Sequence, residues 1–375
     1  MTLTRNSMRR KTPTSFFHYS LFVLHYSLIP MQTNRRSFLT GKFLSPEAQQ
    51  AKEAAEAEAK AKALADAPAQ YMQYSRRAMA AEFVVFTNAG EYENAFEAAV
   101  EALDEATRLE KVLSYFLPES EISRLNEDGP YYPVPVSPEV YFLLQTCKAL
   151  YEATGGAFDM TATPLSEVWG FMRRQGRVPT EEERLDALAK VSTGKIQWFD
   201  EDCALQLGCE GMKVSLGSIG KGFALDSAAG ILERAGMNDF LFHGGLSSVL
   251  ARGARRGRED WLVGLHHPLK KGERLMEIPL KNRALGTSGS ATQFFWSNGR
   301  RFGHVLDPRT GFPAANVLSA TVLAPNATEA DALATAFYVM GPEQAEAFCA
   351  KRPEIGAIFV LPAGTNVKIV KFGNI

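Results

Sequence analysis

The stretch V-S-L-G-S-I-G-K-G-F-A-L-D, Val214 to Asp226, sets Gly217, Gly220 and Gly222 between an extended apolar segment and an amphipathic run that continues through Ala228, Ala229, Ile231 and Leu232. Glycine accepts backbone angles and close approaches that other residues resist, so the pattern predicts a strand entering a helix through a turn with exposed amides. A helix start carries unpaired N–H groups and the positive end of the helix dipole. Lys221 adds a full charge at the same place, so the turn could hold a phosphate. The spacing matches neither G-x-x-x-x-G-K-[ST] nor G-x-G-x-x-G. A tight strand-to-helix packing turn accounts for the same glycines.

Before that turn, Glu82 to Thr87 (E-F-V-V-F-T) reads as a strand, and Glu91 to Leu113 as a helix with an apolar face through Phe96, Val100, Leu103 and Leu109. Ser120 can cap a short helix, and Val140 to Thr154 is amphipathic and closed by Gly155 and Gly156. Lys195 to Trp198 and Ala204 to Leu207 read as a hairpin. After the turn, Phe240 to Phe242 leads into His243-Gly244-Gly245, a second place where backbone could approach a ligand, and Arg252 to Asp260 is a charged turn. A helix over Thr328 to Met340 and strands over Ile355 to Leu361 and Val367 to Lys371 follow. Largely antiparallel strands with interspersed helices predict an α+β fold, not a doubly wound parallel sheet.

Among 375 residues, 41 Lys and Arg balance 42 Asp and Glu, for a formal net charge of -1. The basic residues are scattered, which argues against nucleic acid as a partner. Cys147, Cys203, Cys209 and Cys349 form no C-x-x-C pair and read as buried thiols. Residues 1–45 read as a targeting segment or a mis-assigned start. Arg5, Arg9, Arg10 and Lys11 precede an apolar run, Met31 offers a second start, and Arg35, Arg36, Phe38 and Leu39 match a twin-arginine signal in part. Use of that signal would place the protein in the cell envelope, on the periplasmic side; otherwise it is cytoplasmic. Residues 46–70, rich in Ala, Glu and Lys, predict a solvated helical spacer with Ser45 as its cap, leaving 71–375 as the folded domain.

Four further stretches could carry chemistry. A-F-D-M-T-A-T-P-L puts a buried-looking aromatic beside Asp159, Thr161 and Thr163. Leu285 to Ser290 (L-G-T-S-G-S) reads as a loop whose amides and hydroxyls could meet phosphate oxygens, or as an ordinary turn. His304 to Gly311 (H-V-L-D-P-R-T-G) gathers an imidazole suited to general-base work, Asp307 and Arg309, although Asp-Pro followed by Gly is also a sufficient turn signal. In Thr328 to Met340, Asp331 and Thr335 lie four apart and could offer two oxygens to a hard cation such as Mg²⁺. An acid in the first turn of a helix capped by Thr328 is the plainer account.

Taken in order, S-Y-F-L-P-E-S-E-I-S-R-L-N, G-G-A-F-D-M-T, L-G-S-I-G-K-G-F-A-L-D, F-H-G-G, T-S-G-S, H-V-L-D-P-R-T-G-F-P and A-D-A-L-A-T-A resemble the ApbE family of flavin transferases, from about Met79 to Gly341. The resemblance implies an ApbE-like α+β fold of the T-fold type, with mixed sheets and packed helices. It implies FAD as substrate and a divalent cation, usually Mg²⁺, with FMN attached through a phosphoester to a threonine of an acceptor flavoprotein, soluble or membrane-associated, and AMP released. Carried over by position, the cation would be held by Asp331, Thr335 and the backbone oxygen of Ala224. FAD would contact Met79, Tyr115, Ala157, Phe158, Asp159, Ser218, Lys221, Ser227 and His304. Lys221 would hold the pyrophosphate, His304 would act as base, and Asp307 would orient it or instead fix Arg309. The family's M-G-T is here Met79-Ala80-Ala81, its D-L-G is Ser215-Leu216-Gly217, and Met160 stands where proline is common. An FAD pyrophosphatase giving FMN and AMP, and a non-catalytic FAD-binding protein, are the competing expectations.

Overall fold

Strands β1 (Tyr71–Ala78) and β2 (Ala81–Asn88) pair antiparallel around a two-residue turn in which Met79 and Ala80 both have left-handed backbone angles, φ 49° and 56°. The right-handed twist of paired strands favours such a turn, and each non-glycine residue held there costs about 1 kcal/mol. The computed structural model describes residues 71–375, apart from Lys271, Thr292 and Thr365. The expected targeting segment and spacer lie outside the described residues.

Helix α1 (Ala95–Leu113) follows, and it buries Ala98, Ala99, Ala102 and Ala106 with Leu103, Leu109 and Leu113. Phe96, expected on the buried face, is 48% exposed. Small alanines let the helix axis approach its neighbours closely, so the packed face is the alanine stripe and the large phenylalanine is turned outward. Helix α2 (Glu121–Asp128) starts on Ser120, whose hydroxyl accepts the Ser123 N–H. Next come β3 (Val134–Pro135), α3 (Pro138–Ala153), α4 (Thr163–Val168) and α5 (Glu181–Ala189), the last opened by a reciprocal capping box between Thr180 and Glu183. Strands β4 (Gln197–Phe199) and β5 (Ala204–Gln206) form the expected hairpin and join β3 in a small sheet.

The segment before α6 (Gly220–Arg234) is not a strand. Asn126 binds both the N–H and the carbonyl of Val214, and Ser215 N–H donates to Met160, so side-chain and loop bonds replace a ladder. Strands β6 (Phe240–Gly244), β7 (Ser248–Arg252), β8 (Trp261–His266), β9 (Arg274–Leu280) and β10 (Arg283–Gly289) follow. Then come β11 (Phe294–Ser297), β12 (Arg300–Gly303), β13 (Ser319–Ala324), α7 (Ala327–Lys351), β14 (Gly356–Ala363) and β15 (Asn366–Gly373). Helix α7 runs past its expected end at Met340, with a break at Gly341 (φ 76°) before Pro342. Among the described residues no helix is long and apolar enough to cross a membrane.

The main sheet has eight strands in the order β1-β2-β6-β7-β10-β13-β14-β15, and each neighbouring pair is antiparallel. Its L-G-T-S-G-S strand, expected as a loop, is β10, paired on both sides by β7 and β13. Alternation separates the faces: Leu250, Val322, Ala357 and Phe359 join the core under α1, α6 and α7. Val249, Ala251, Leu323 and Ile358 point the other way, where the β8–β9 hairpin covers them with Trp261, Leu265, Ile278 and Leu280. A third cluster around Leu165, Trp169, Phe171 and Leu306 takes Phe295 and Phe302 against it. The result is the expected α+β class.

Asp226 ties α6 to α7. Its carboxylate accepts the N–H groups of Ala327 and Thr328, each at 2.8 Å, and the Thr328 hydroxyl at 2.5 Å. Burial holds its pKa above the ordinary value in spite of those bonds. The Asn326 side chain caps the same helix start by accepting Glu329 N–H at 2.8 Å. Asp226→Ala should therefore lower unfolding free energy by about 2–3 kcal/mol, since it strands buried donors at a helix start. A urea midpoint that falls with an unchanged slope would show it.

Candidate functional site

Two glycines bring three elements together. A Cβ on Gly222 would lie 2.1 Å from the Ala327 carbonyl oxygen, and one on Gly286 would lie 2.2 Å from that of Ala330. Only glycine lets the first turn of α6 and strand β10 press this closely on the first turns of α7. The closeness of Gly222 realises the packing half of the packing-turn reading, although no strand precedes the helix.

At that junction lies Asp331, 5% exposed. Its Oδ2 accepts from Lys221 Nζ and from Gly222 N–H, both at 3.2 Å, and its Oδ1 accepts from the Ser248 hydroxyl at 2.8 Å. The anion at the start of α6 is therefore the protein's own carboxylate, which both the helix dipole and Lys221 favour. One turn on, the Thr335 hydroxyl meets the Ser288 hydroxyl of β10 at 2.8 Å. Ala224 is fully buried in α6.

Asp331 carries the one full negative charge of the oxygen set proposed for a cation. Among the described residues no group of three His, Cys, Asp or Glu side chains could hold a metal, so a cation would rest on mixed oxygen donors. Carboxylate, hydroxyl and backbone carbonyl are the donors a hard divalent ion prefers, and the Lys221 ammonium beside Asp331 shows that the carboxylate accepts a cationic neighbour. The residues fit such an ion.

The other expected site residues fall into several places. Met79 packs at the edge of the main core. The Tyr115 hydroxyl donates to Glu167 at 3.0 Å, and Lys213 Nζ meets the same carboxylate oxygen at 2.6 Å. Ala157 and Phe158 are buried, and the Asp159 carboxylate accepts from the Thr161 hydroxyl at 2.6 Å and the Thr193 hydroxyl at 2.8 Å. Those bonds hold a loop together. Ser218 lies in the turn before α6, half-buried. Ser227 turns toward α1, donating to Glu105 at 2.7 Å.

His304 follows β12 and is largely buried. Its Nδ1 sits 3.1 Å from the Gln293 carbonyl, which can only accept, so Nδ1 carries the proton and Nε2 keeps its lone pair. Burial, partly opposed by the hydrogen bond to that carbonyl, holds the imidazole pKa below its ordinary value and so favours the neutral ring. Asp307 does not orient it. Arg309 takes both carboxylate oxygens at 2.9 Å, because the D-P-R-T-G segment is a turn that folds the guanidinium back onto the acid.

Sequence reading missed Ser248, Ser288 as the partner of Thr335, and the capping role of Asp226. For Asp226 a signal existed: it lies four residues after Gly222, so both share the helix face that meets α7.

An antiparallel sheet with an acid, a lysine and small hydroxyls gathered where two helices begin defines a protein with a buried, oxygen-lined polar centre. A family model described as the ApbE family matches residues 78–359. The chain is 33% identical over 241 residues to an FAD:protein FMN transferase of Haemophilus influenzae, covering 62% of this chain and 69% of that one. It is 31% identical over 267 residues to an FAD:protein FMN transferase of Treponema pallidum, covering 68% and 74%. Among solved structures it resembles the ApbE protein of Thermotoga maritima, with TM-score 0.73 and 30% identity over 81% of this chain and 97% of that one. It also resembles the flavin transferase ApbE of Vibrio cholerae, with TM-score 0.71 and 25% identity over 81% and 98%. The chain belongs to the ApbE family.

Proposed function

We propose that this chain moves FMN from FAD to a threonine of an acceptor flavoprotein, forming a phosphoester and releasing AMP, with Mg²⁺ as the preferred cation. Its family membership makes it a flavin transferase. The observation that carries the finer reading is the Asp331 centre: a buried carboxylate held by Ser248 and Gly222 N–H, beside Lys221 and one turn before Thr335.

In the reaction, the threonine oxygen bonds to the FMN-side phosphorus, the phosphorus–oxygen bond to AMP breaks, and AMP leaves with the electron pair. A cation held by Asp331, Thr335 and the Ala224 carbonyl would supply charge neutralisation to the pyrophosphate. Lys221, within reach of the same carboxylate, holds phosphate oxygens as a second positive charge. Nε2 of His304 takes the threonine proton. Positioning by these groups, more than any single bond, accounts for the acceleration.

The test is incubation of the purified chain with FAD and Mg²⁺, with and without a threonine-bearing acceptor, reading AMP and covalent flavin. Covalent flavin only with acceptor, lost on chelation by EDTA, is expected. AMP release without covalent flavin on any acceptor would favour the pyrophosphatase, and neither product would favour simple FAD binding.

A chain shortened to start near Ala69 should retain FAD binding and turnover, because residues 46–67 carry no apolar stripe with which to dock. Loss of soluble, active protein on that truncation would show that the segment packs on the domain.

A further inference from the structure

The β11–β12 hairpin forms its own two-stranded sheet, and its two faces differ. Phe295 and Phe302 turn inward onto Trp169, while Phe294 and Trp296 point outward, 41% and 65% exposed. Beside them the loop after α4 folds back on itself: Gln175 N–H donates to the Gly170 carbonyl and Arg177 N–H to that of Trp169. A Cβ on Gly176 would lie 2.2 Å from the Phe295 ring, so the loop is closed tightly on the hairpin and turns Arg173 and Arg174 to solvent.

The two elements enclose a recess of about 400 Å³ lined by Phe171, Arg174, Gly176, Gln293, Phe294 and Phe295. Gln293 and Phe171, which line the recess, also neighbour His304, through the carbonyl bond and an edge-on ring pair with centroids 6.5 Å apart. Arg174 lines it, and two more arginines sit on the hairpin. Arg301 lies over the Phe294 ring at 4.1 Å and Arg300 over Phe302 at 5.2 Å. Among the described residues none of Arg173, Arg174, Arg300 and Arg301 meets a carboxylate, whereas Arg177 nearby is paired with Glu183. A chain of net charge -1 that leaves four guanidinium groups unneutralised around exposed aromatics has a locally positive, apolar face.

We propose that this face receives the acceptor: a segment carrying acidic residues and an apolar side chain lays along Phe294 and Trp296, pairs with Arg173 and Arg174, and thereby presents its threonine to His304. The inference takes the acceptor's role from the transfer reading above. Arginine beside aromatic rings suits such a segment, since the guanidinium binds carboxylates by two parallel bonds while the rings bury apolar surface.

The test uses three fluorescein-labelled peptides with one threonine and one leucine, flanked by Asp and Glu, by Ser and Gly, or by Lys, and the full chain with FAD bound. Anisotropy should show the acidic peptide binding at least about tenfold tighter than the neutral one and losing that margin in 0.5 M salt, as screening of exposed charges requires. Arg173→Glu with Arg174→Glu should reverse the preference toward the Lys peptide, and Trp296→Ala should weaken all three. FAD affinity and acceptor-free AMP release should stay at the wild-type level in each variant. Where FMN transfer to the peptides is measured, the double variant should raise KM for the acidic peptide with kcat little changed. Equal binding of the three peptides, or an acidic preference that survives the charge reversal, would overturn the docking face. Charge-selective binding with no FMN transfer would instead count against the transfer reading while leaving the face in place.

Discussion

Asp331→Asn is expected to abolish Mg²⁺-dependent AMP release and covalent transfer, lowering both by at least about 10³-fold, the equivalent of roughly 4 kcal/mol of lost charge stabilisation. Asparagine keeps the shape and can still accept from the Ser248 hydroxyl through its amide oxygen, while its amide nitrogen replaces the oxygen that accepted from Lys221 and Gly222 N–H. The change removes the charge and those two bonds but opens no hole. It is the better test than alanine. From sequence the plainer account of Asp331 is a first-turn acid that serves the helix dipole, but the side chain is buried, and Ala330, Ala332, Leu333 and Ala334 around it are fully buried as well. Truncation would leave a hole and unpaired donors at Gly222 N–H and Ser248, and loss of activity could then reflect unfolding. A Mg²⁺ titration followed by thermal melting gives a readout independent of turnover: the wild type should be stabilised by the ion and the Asn variant should not. A folded Asn variant with near-normal turnover would overturn the site.

That correction shows where sequence reading stops. The α+β class was legible because strand alternation and helix periodicity are local, as in Glu82 to Thr87 and the run after Gly222. On α1, Leu103 and Leu109 are buried as expected, but Phe96 was misplaced because its size was weighted above the alanines, which close helix packing selects. L-G-T-S-G-S looked like a loop because glycine and small hydroxyl residues are also turn residues. Its strand character depends on β7 and β13, and its Gly286 on the α7 backbone, none of which is local.

The centre itself joins residues far apart in the chain: Lys221 and Asp331 are 110 positions apart, and Ser248 and Asp331 83. No spacing rule links them, and the likeness to a family was what placed Lys221 and Asp331 at one site. The sequence leaves Asp307 open between orienting His304 and fixing Arg309. Its neighbour two residues on, Arg309, was the simpler partner, and proximity along the chain prevailed over a role in orienting His304.

His304→Ala should lower covalent transfer by roughly 10²- to 10⁴-fold, the range for removal of a general base, with FAD affinity changed far less. The geometry gives the sign of the pH dependence. With Nδ1 held by the Gln293 carbonyl, only Nε2 can take a proton, and it can do so only while the ring is neutral. Burial places the imidazole pKa below its ordinary value of 6.5, so wild-type transfer should be flat through neutrality and fall as pH drops through that lowered pKa. In His304→Ala this limb should vanish, leaving a low rate that no longer follows an imidazole titration. Acceptor-free release of AMP supplies an internal control, because water is a small nucleophile with less need of a fixed base, so residual hydrolysis should outlast covalent transfer. The rival account makes His304 a flavin-positioning residue, which predicts weakened FAD binding and normal transfer once FAD is saturating. Titrating FAD onto the variant and measuring kcat at saturation separates the two: lost affinity with restored kcat would remove His304 from the proton-transfer step.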